Sequence, residues 1–309
     1  MTHKILFIGR ASVGKTSLKK IIFENQNPKS LLKDPLKPTR GIQITQYNWL
    51  NINLSIFDTS GQDINDFLEQ GEAQSKIFEK ADIILYIFDY ENLKEISQEL
   101  IKEIEYIYKV MIGINKKARL ILIYHKIDLI PELIKNNFRL LTRQIQNLIN
   151  LPVKPDIYFT SIKEEFIYSV HNSFSEILSR FSEQTLKIKK ILDEKIKDYS
   201  NILCLVIDNQ NKVITQSKSY KYNISLIYDS FITFYQLWEE NELETYLDNE
   251  SHLFKTGDKI RIVKISRLNF LKSNLKYLIW ISESFNEIKL DELIHNTIKR
   301  LIDAFKKNN

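Results

Sequence analysis

The sequence predicts an α/β domain with a mainly parallel sheet, followed by a smaller α+β domain with an antiparallel sheet. Three observations carry this reading. In the first half, apolar strand-like runs alternate with amphipathic helical stretches, the order that builds a parallel sheet covered on both faces. From about residue 183 the order becomes helix, hairpin, helix, three short strands and helix. Composition shifts as well: all six prolines occur by position 155, and of the seven glycines only Gly257 lies beyond 113. The expected domains are therefore 1–182 and 183–309.

The elements follow in order. The run Ile5-Leu6-Phe7-Ile8 reads as a buried strand, and Leu18, Ile21, Ile22 and Phe23 recur at helical spacing just after it. Between them stands Gly9-Arg10-Ala11-Ser12-Val13-Gly14-Lys15-Thr16. Residues 26–41 hold Pro28, Pro35, Pro38 and Gly41 and read as irregular chain. Strands are expected near 42–49 and 52–57, joined by a tight turn at Asn51. A buried strand at 83–88 precedes a helix near 92–112, and a strand at 120–124 precedes a helix around 132–149. The strand 156–159 leads to a helix carrying Phe166, Val170, Phe174, Ile177 and Phe181.

In the second half the expected elements are a helix at 183–199, a hairpin of 202–208 and 212–217, and a helix at 223–240. Strands near 252–256, 260–266 and 276–282 follow, then a helix at 287–306. The helix at 223–240 shows Ile224, Ile227, Phe231, Phe234 and Trp238 on one face, and the last shows Leu290, Leu293, Ile294, Ile298, Leu301 and Phe305. Hairpins with flanking helices make an α+β layer. No catalytic constellation is legible there.

The octapeptide Gly9–Thr16 matches G-x-x-x-x-G-K-[ST] in the strand–loop–helix context where that pattern cradles phosphates. Glycines let successive backbone N–H groups point into one concavity, and the helix N-terminus adds its positive dipole end. The candidate phosphate-contacting set runs Gly9, Arg10, Ala11, Ser12, Val13, Gly14, Lys15, Thr16 and Ser17. Lys15 is placed to reach β- and γ-phosphates, and the Thr16 hydroxyl to bind Mg²⁺. Asp58-Thr59-Ser60-Gly61-Gln62 ends the next strand. Asp58 can hold Mg²⁺ through water, Gly61 can offer its N–H to a γ-phosphate, and Gln62 can orient an attacking water. Thr39, in Pro38-Thr39-Arg40-Gly41, supplies a second hydroxyl for the metal.

Base choice is expected at His125-Lys126-Ile127-Asp128. A carboxylate accepts two hydrogen bonds from guanine's N1–H and 2-amino group, whereas adenine leaves it unpaired. The Lys126 stem can cover the base plane. Thr160-Ser161-Ile162, after the last strand of the first domain, can offer a backbone N–H to guanine O6.

Composition narrows the classes. With 43% hydrophobic and 27% charged residues the chain can bury a core. Its net charge of +5 comes from interspersed signs, 44 basic against 39 acidic residues, which speaks against a nucleic-acid partner. Cys204 is the only cysteine and lies in an apolar run, so disulfides within the chain are impossible and the thiol is expected in the core. No stretch reaches the length of a membrane span, Met1-Thr2-His3-Lys4 leaves no room for a signal peptide, and neither lipidation pattern is present. The expectation is a cytoplasmic protein that meets a membrane only through a partner.

The ordered set Gly9–Thr16, Thr39, Asp58–Gln62, Lys126/Asp128 and Thr160–Ile162 resembles a small GTPase of the Ras superfamily. Within that superfamily it is similar to the Rag GTPases. The features that favour Rag are Gly9-Arg10 followed by Ala11-Ser12, His125 where most small GTPases carry Asn, Thr160-Ser161-Ile162, and the long C-terminal extension. The element order of that extension is similar to a roadblock/longin-like dimerisation domain. The resemblance implies a P-loop GTPase domain and a GTP/GDP switch that uses Mg²⁺ and hydrolyses slowly, with Gln62, Lys15 and Thr39 in the catalytic roles. It also implies a homodimer, or a heterodimer with a second Rag-like GTPase, together with activating, exchange or roadblock-scaffold proteins. Two departures stand out. Thr59-Ser60 precedes Gly61-Gln62 where Rag proteins commonly have Cys-Gly, and Ala11 puts a methyl group near the γ-phosphate. Arg10 and Arg40 are conceivable arginine fingers in cis, but neither is expected to act as one. Two other readings are a nearly inert dimerisation scaffold and an Arf- or Ras-like trafficking switch. Intact Gln62 and Thr39 argue against the first, missing lipid anchors against the second.

Overall fold

The computed structural model of the chain describes residues 2–34, 36–49, 52–61, 77–95, 97–130, 138–210, 212–219, 251–256, 259–268, 274–283 and 287–306. Its first sheet is built around β1 (Thr2–Ile8), which runs into the glycine loop and then helix α1 (Lys15–Glu24). A short helix α2 (Pro28–Lys33) follows, started by Pro28 at its first turn and by the Asn27 side chain, which accepts from the Lys29 N–H at 2.9 Å. Next come β2 (Ile42–Trp49), β3 (Ile52–Thr59), β4 (Ala81–Phe88), α3 (Tyr90–Glu95), α4 (Ser97–Ile114) and β5 (Arg119–Tyr124). Helix α5 (Phe138–Leu148), β6 (Asp156–Phe159) and α6 (Ile167–Ser179) complete this half.

The six strands lie in the order β2-β3-β1-β4-β5-β6. All neighbours are parallel except β2, which pairs antiparallel with β3 at the edge. The sheet is thus mainly parallel, as its sequence order predicts. Central β4 shows why: Ile83, Ile84, Leu85, Ile87 and Phe88 are all at most 2% exposed. A strand apolar on both faces needs cover on both faces, and each such side chain contributes roughly 1.5–3 kcal/mol by burial. Because the strands run parallel, the chain segments that follow them gather at one end of the sheet, where ligands bind in such folds.

The second sheet is antiparallel throughout. Helix α7 (Glu183–Ile196), started by the Ser182 side chain accepting from Thr185 N–H, precedes β7 (Ile202–Asp208) and β8 (Val213–Lys218). Then come β9 (Ser251–Thr256), β10 (Lys259–Arg267), β11 (Leu275–Ser282) and α8 (Glu287–Lys306). The strand order is β8-β7-β11-β10-β9. Ser175 of α6 donates to Thr215 at 3.0 Å and Ser217 donates to Asp193 at 2.6 Å, so these two polar positions of β8 are met by the neighbouring helices. Cys204 sits fully buried in β7, in register with Trp280 on one side and Ser217 on the other, and burial pushes its thiol pKa well up. The helix expected at 223–240 lies outside the described residues, as do 132–137 of the helix expected at 132–149. The helix expected near 92–112 falls on α3 and α4, with residue 96 outside the described residues.

The chain divides into two compact units, Met1–Val170 and His171–Asn309. The division falls inside α6, ahead of the boundary that composition places near 182/183. His171, the first residue of the second unit, is fully buried, and burial lowers its pKa from 6.5 to about 3. The folded state therefore holds it neutral while the unfolded chain protonates near pH 6.5, so stability falls as pH drops from there towards 3. We expect stability to urea to be lower at pH 4.5 than at pH 7, with His171 supplying on the order of 2–3 kcal/mol of the difference. His171→Gln should shrink that difference; an unchanged pH dependence would refute the assignment.

Candidate functional site

The glycine loop folds as it does because two of its positions have no room for a side chain. Gly9 has φ +151°, and a Cβ there would lie 2.1 Å from the Ile87 carbonyl oxygen. Gly14 has φ +93° and would put a Cβ 2.6 Å from the His125 ring. Ser12 takes a left-handed φ of 63°, a costly conformation of the kind that collects at functional sites. Between them the chain curls over the start of α1, whose first N–H groups face a cavity of about 310 Å³. Ala11, Ser12, Gly14, Lys15, Thr16 and Ser17 line it from one side, Leu31, Leu36, Pro38 and Thr39 from another.

Lys15 lies beneath the loop. Its Nζ donates to the carbonyl oxygens of Gly9 at 2.7 Å and Arg10 at 2.8 Å. Burial lowers its pKa to about 8 against the opposing pull of Asp58, so the ammonium is poorly compensated until an anion joins it. The Arg10 side chain turns away from the cavity. It pairs with Glu103 and, at 3.1 Å, with Glu99 on α4, while Tyr86 donates to the other Glu103 oxygen at 2.6 Å. Arg10 thus gives the site its backbone only. Val13 is buried under the loop.

At the mouth, three oxygen-bearing side chains meet. The Thr16 hydroxyl donates to Asp58 Oδ2 at 2.8 Å and lies 2.9 Å from the Thr39 hydroxyl. Asp58 is wholly buried, and its Oδ1 has no hydrogen-bond partner. Burial raises its pKa, opposed by the Thr16 bond and by the charges of Lys19 and Lys15. Two hydroxyls beside an unpartnered buried carboxylate oxygen fit a hard divalent cation such as Mg²⁺. No cluster of three or more His, Cys, Asp or Glu suited to a metal occurs among the described residues. Ser60 N–H donates to the Gly41 carbonyl at 2.7 Å, tying the Thr39 segment to the end of β3. A Cβ on Gly61 would lie 2.2 Å from the Ala11 nitrogen, so this glycine closes against the phosphate loop. Gln62 lies outside the described residues, and Arg40 is exposed.

The second half of the site forms where β5 and β6 end. Lys126 has a left-handed φ of 54°, and Ile127 N–H donates to the Thr160 carbonyl. Lys126 Nζ donates to buried Asp89 at 2.8 Å, which pins the long side chain in one direction. Asp128 accepts from Ser161 Oγ at 2.5 Å and pairs with Lys163 at 3.3 Å. Ser161 N–H donates to Ser169 Oγ at 3.3 Å, and Ile162 follows in the same turn. His125 joins the two halves: its ring meets Gly14, and its Nδ1 lies 2.8 Å from the Thr160 hydroxyl. Full burial lowers its pKa to about 4, with Lys126 adding to the shift, so it stays neutral near pH 7. Sequence reasoning missed Asp89, Lys163 and Lys19. Asp89 had a signal, since it ends a buried strand at the ligand edge of the sheet.

Gly14→Ala should cost at least about 2 kcal/mol, because it combines a clash with His125 and a disfavoured φ. Thermal melts of Gly14→Ala and of Gly14→Ala with His125→Ala separate the two. The second change should restore only the part due to the clash, and full restoration would remove the backbone argument.

The described site can be set beside known proteins. A family model described as the Gtr1/RagA G protein conserved region matches residues 4–231. Ras-related GTP-binding protein A of Dictyostelium discoideum is 30% identical over 176 residues, covering 56% of this chain and 56% of that protein. GTP-binding protein GTR1 of Saccharomyces cerevisiae is 26% identical over 320 residues, covering 96% of this chain and 89% of the relative. GTP-binding protein GTR2 of the same yeast is 24% identical over 229 residues, covering 72% and 63%. The match to the Dictyostelium protein thus spans about half of that relative's length. With its phosphate loop, Asp58 and Asp128 inside the matched region, the chain belongs to the Gtr1/RagA G-protein family.

Proposed function

We propose that this protein is a guanine-nucleotide switch that binds GTP with Mg²⁺, hydrolyses it slowly to GDP, and signals through a dimer. The observation that carries the reading is the glycine loop folded over the start of α1 beside the Thr16–Asp58–Thr39 cluster, with the Lys126–Asp128 turn linked to it through His125. The loop N–H groups and Lys15 hold the phosphates. Thr16, Thr39 and, through water, Asp58 would hold the metal, which would neutralise phosphate charge. Gly61 meets the γ-phosphate, and Gln62 orients the attacking water. Catalysis of this type is positioning plus charge stabilisation.

Arg10 is engaged by Glu103 and Glu99, which supports slow turnover by the chain alone. A partner that supplied an arginine could add on the order of 10³–10⁵-fold. The five-stranded antiparallel sheet with its flanking helices supports a dimerisation domain from about 183 onwards. The partner is a second copy or a second GTPase of the same type. None of the described helices is long and apolar enough to cross a membrane, and we place the protein in the cytoplasm, reaching membranes through partners.

Asp128→Asn tests the base assignment. An amide keeps one acceptor but turns the other position into a donor, so it loses guanine's 2-amino group and suits the 2-oxo group of xanthine. We expect affinity for GDP to fall at least about 100-fold while xanthosine diphosphate binds better than to the parent. Equal loss of both nucleotides would point to simple unfolding of the turn and against base reading. Hydrolysis is tested separately: Gln62→Leu should bind GTP as the parent does and release phosphate at least about tenfold more slowly. Parental turnover in that variant would remove Gln62 from the mechanism.

A further inference from the structure

Helix α1 turns a second lysine inward. Lys19 lies three residues after Thr16 and four after Lys15, so all three share one helix face. Its ammonium is 3.7 Å from Asp58 Oδ2, with the two side chains only 5% and 0% exposed. The other cation nearby, Lys15, spends its hydrogen bonds on the Gly9 and Arg10 carbonyls. Asp58 is therefore a buried carboxylate with Thr16 and Lys19 on one oxygen and no hydrogen-bond partner on the other.

A buried carboxylate without a nearby cation is strongly unfavourable. A dissociable metal ion cannot supply that cation at all times, whereas a lysine on the same core can. The same lysine has a second effect, because its positive charge subtracts from the field that Asp58 offers a divalent ion on its open side. We propose that Lys19 is a built-in counter-ion of Asp58 that holds the metal-binding carboxylate in place when Mg²⁺ leaves and sets how much Mg²⁺ nucleotide retention requires. This rests on the magnesium–nucleotide reading above. Lys19 lies against Asp58 and is not part of the cavity lining, so it acts as a positioning residue through Asp58.

The consequence is a pair of opposite effects from one substitution. Lys19→Met keeps the length and apolar stem and removes the charge. Metal-free protein then carries a buried carboxylate left with the Thr16 hydroxyl and the Lys15 charge alone and loses stability, while Mg²⁺ meets a more negative site and binds more tightly. Lys19→Arg keeps the charge and should behave as the parent.

The test uses the full chain loaded with GDP, with free Mg²⁺ buffered from EDTA conditions to millimolar. GDP retention and melting temperature are read at each point. For Lys19→Met we expect the Mg²⁺ midpoint of GDP retention to fall on the order of tenfold. We also expect the melting temperature to drop clearly in EDTA and little or not at all in millimolar Mg²⁺. Equal losses at both ends of the titration, an unchanged midpoint, or a midpoint shifted upward would overturn the proposal and leave Lys19 as packing alone. If Lys19→Met does not fold even with Mg²⁺, Lys19→Gln, which keeps a polar tip, takes its place under the same criteria. A parent whose GDP retention ignores Mg²⁺ would remove the metal reading itself, and the role of Lys19 with it. A Mg²⁺-dependent parent with an indifferent Lys19→Met removes only the latter.

Discussion

The site depends on main chain running closer to its neighbours than a side chain would allow. Gly9 rests on the carbonyl of Ile87, Gly14 on the ring of His125, and Gly61 on the backbone of Ala11. These three contacts bring the phosphate loop against the ends of β3, β4 and β5. A methyl group at any of them would force elements apart, and the N–H groups of the loop would no longer converge. The chain has seven glycines in 309 residues, so placing three here concentrates its conformational freedom where close approach demands it.

Around that backbone, among the described residues, the buried charges of the site each have an opposing group or a strong hydrogen bond. Asp58 has Thr16 and Lys19, Asp89 has Lys126, Asp128 has Ser161 and Lys163, and Arg10 has Glu103. The lowered pKa of Lys15 and the raised pKa of Asp58 share one cause, burial. A cation that is reluctant to stay charged and a carboxylate with a spare oxygen are each improved by a metal-bound polyphosphate, which brings negative charge to one and positive charge to the other. His125 differs in kind. It is held neutral and works as a spacer and hydrogen-bonding link between loop and base turn, a place where an ionised group would be expensive.

Much of this was legible in the sequence, and the reason is locality. The loop motif, Asp58 with Gly61, and Lys126 with Asp128 are short patterns whose members act within a turn or two of each other, after strands that apolar runs announce. Both sheets were legible for the same reason: strand 156–159 is observed with the bounds expected, and 42–49 likewise. What escaped is long-range. Glu103 reaches Arg10 across 93 positions, and nothing in Gly9-Arg10-Ala11 says which way that side chain turns. Lys19 reads as one more lysine on an amphipathic helix until β3 places Asp58 against it. Lys163 and Ser169 are likewise ordinary polar residues in sequence, given meaning by the turns beside them, whereas Asp89 at least follows a buried strand.

Cys204 has a consequence of a practical kind. The one thiol of the chain lies in the middle of the second sheet, wholly buried and held in its unreactive protonated form. The native surface is therefore blind to alkylating reagents, and any labelling of the parent protein reports opening of that sheet. It also leaves the exterior chemically blank: a cysteine introduced at an exposed position such as Arg40 would be the sole handle for a dye or spin label, with no background site to remove first.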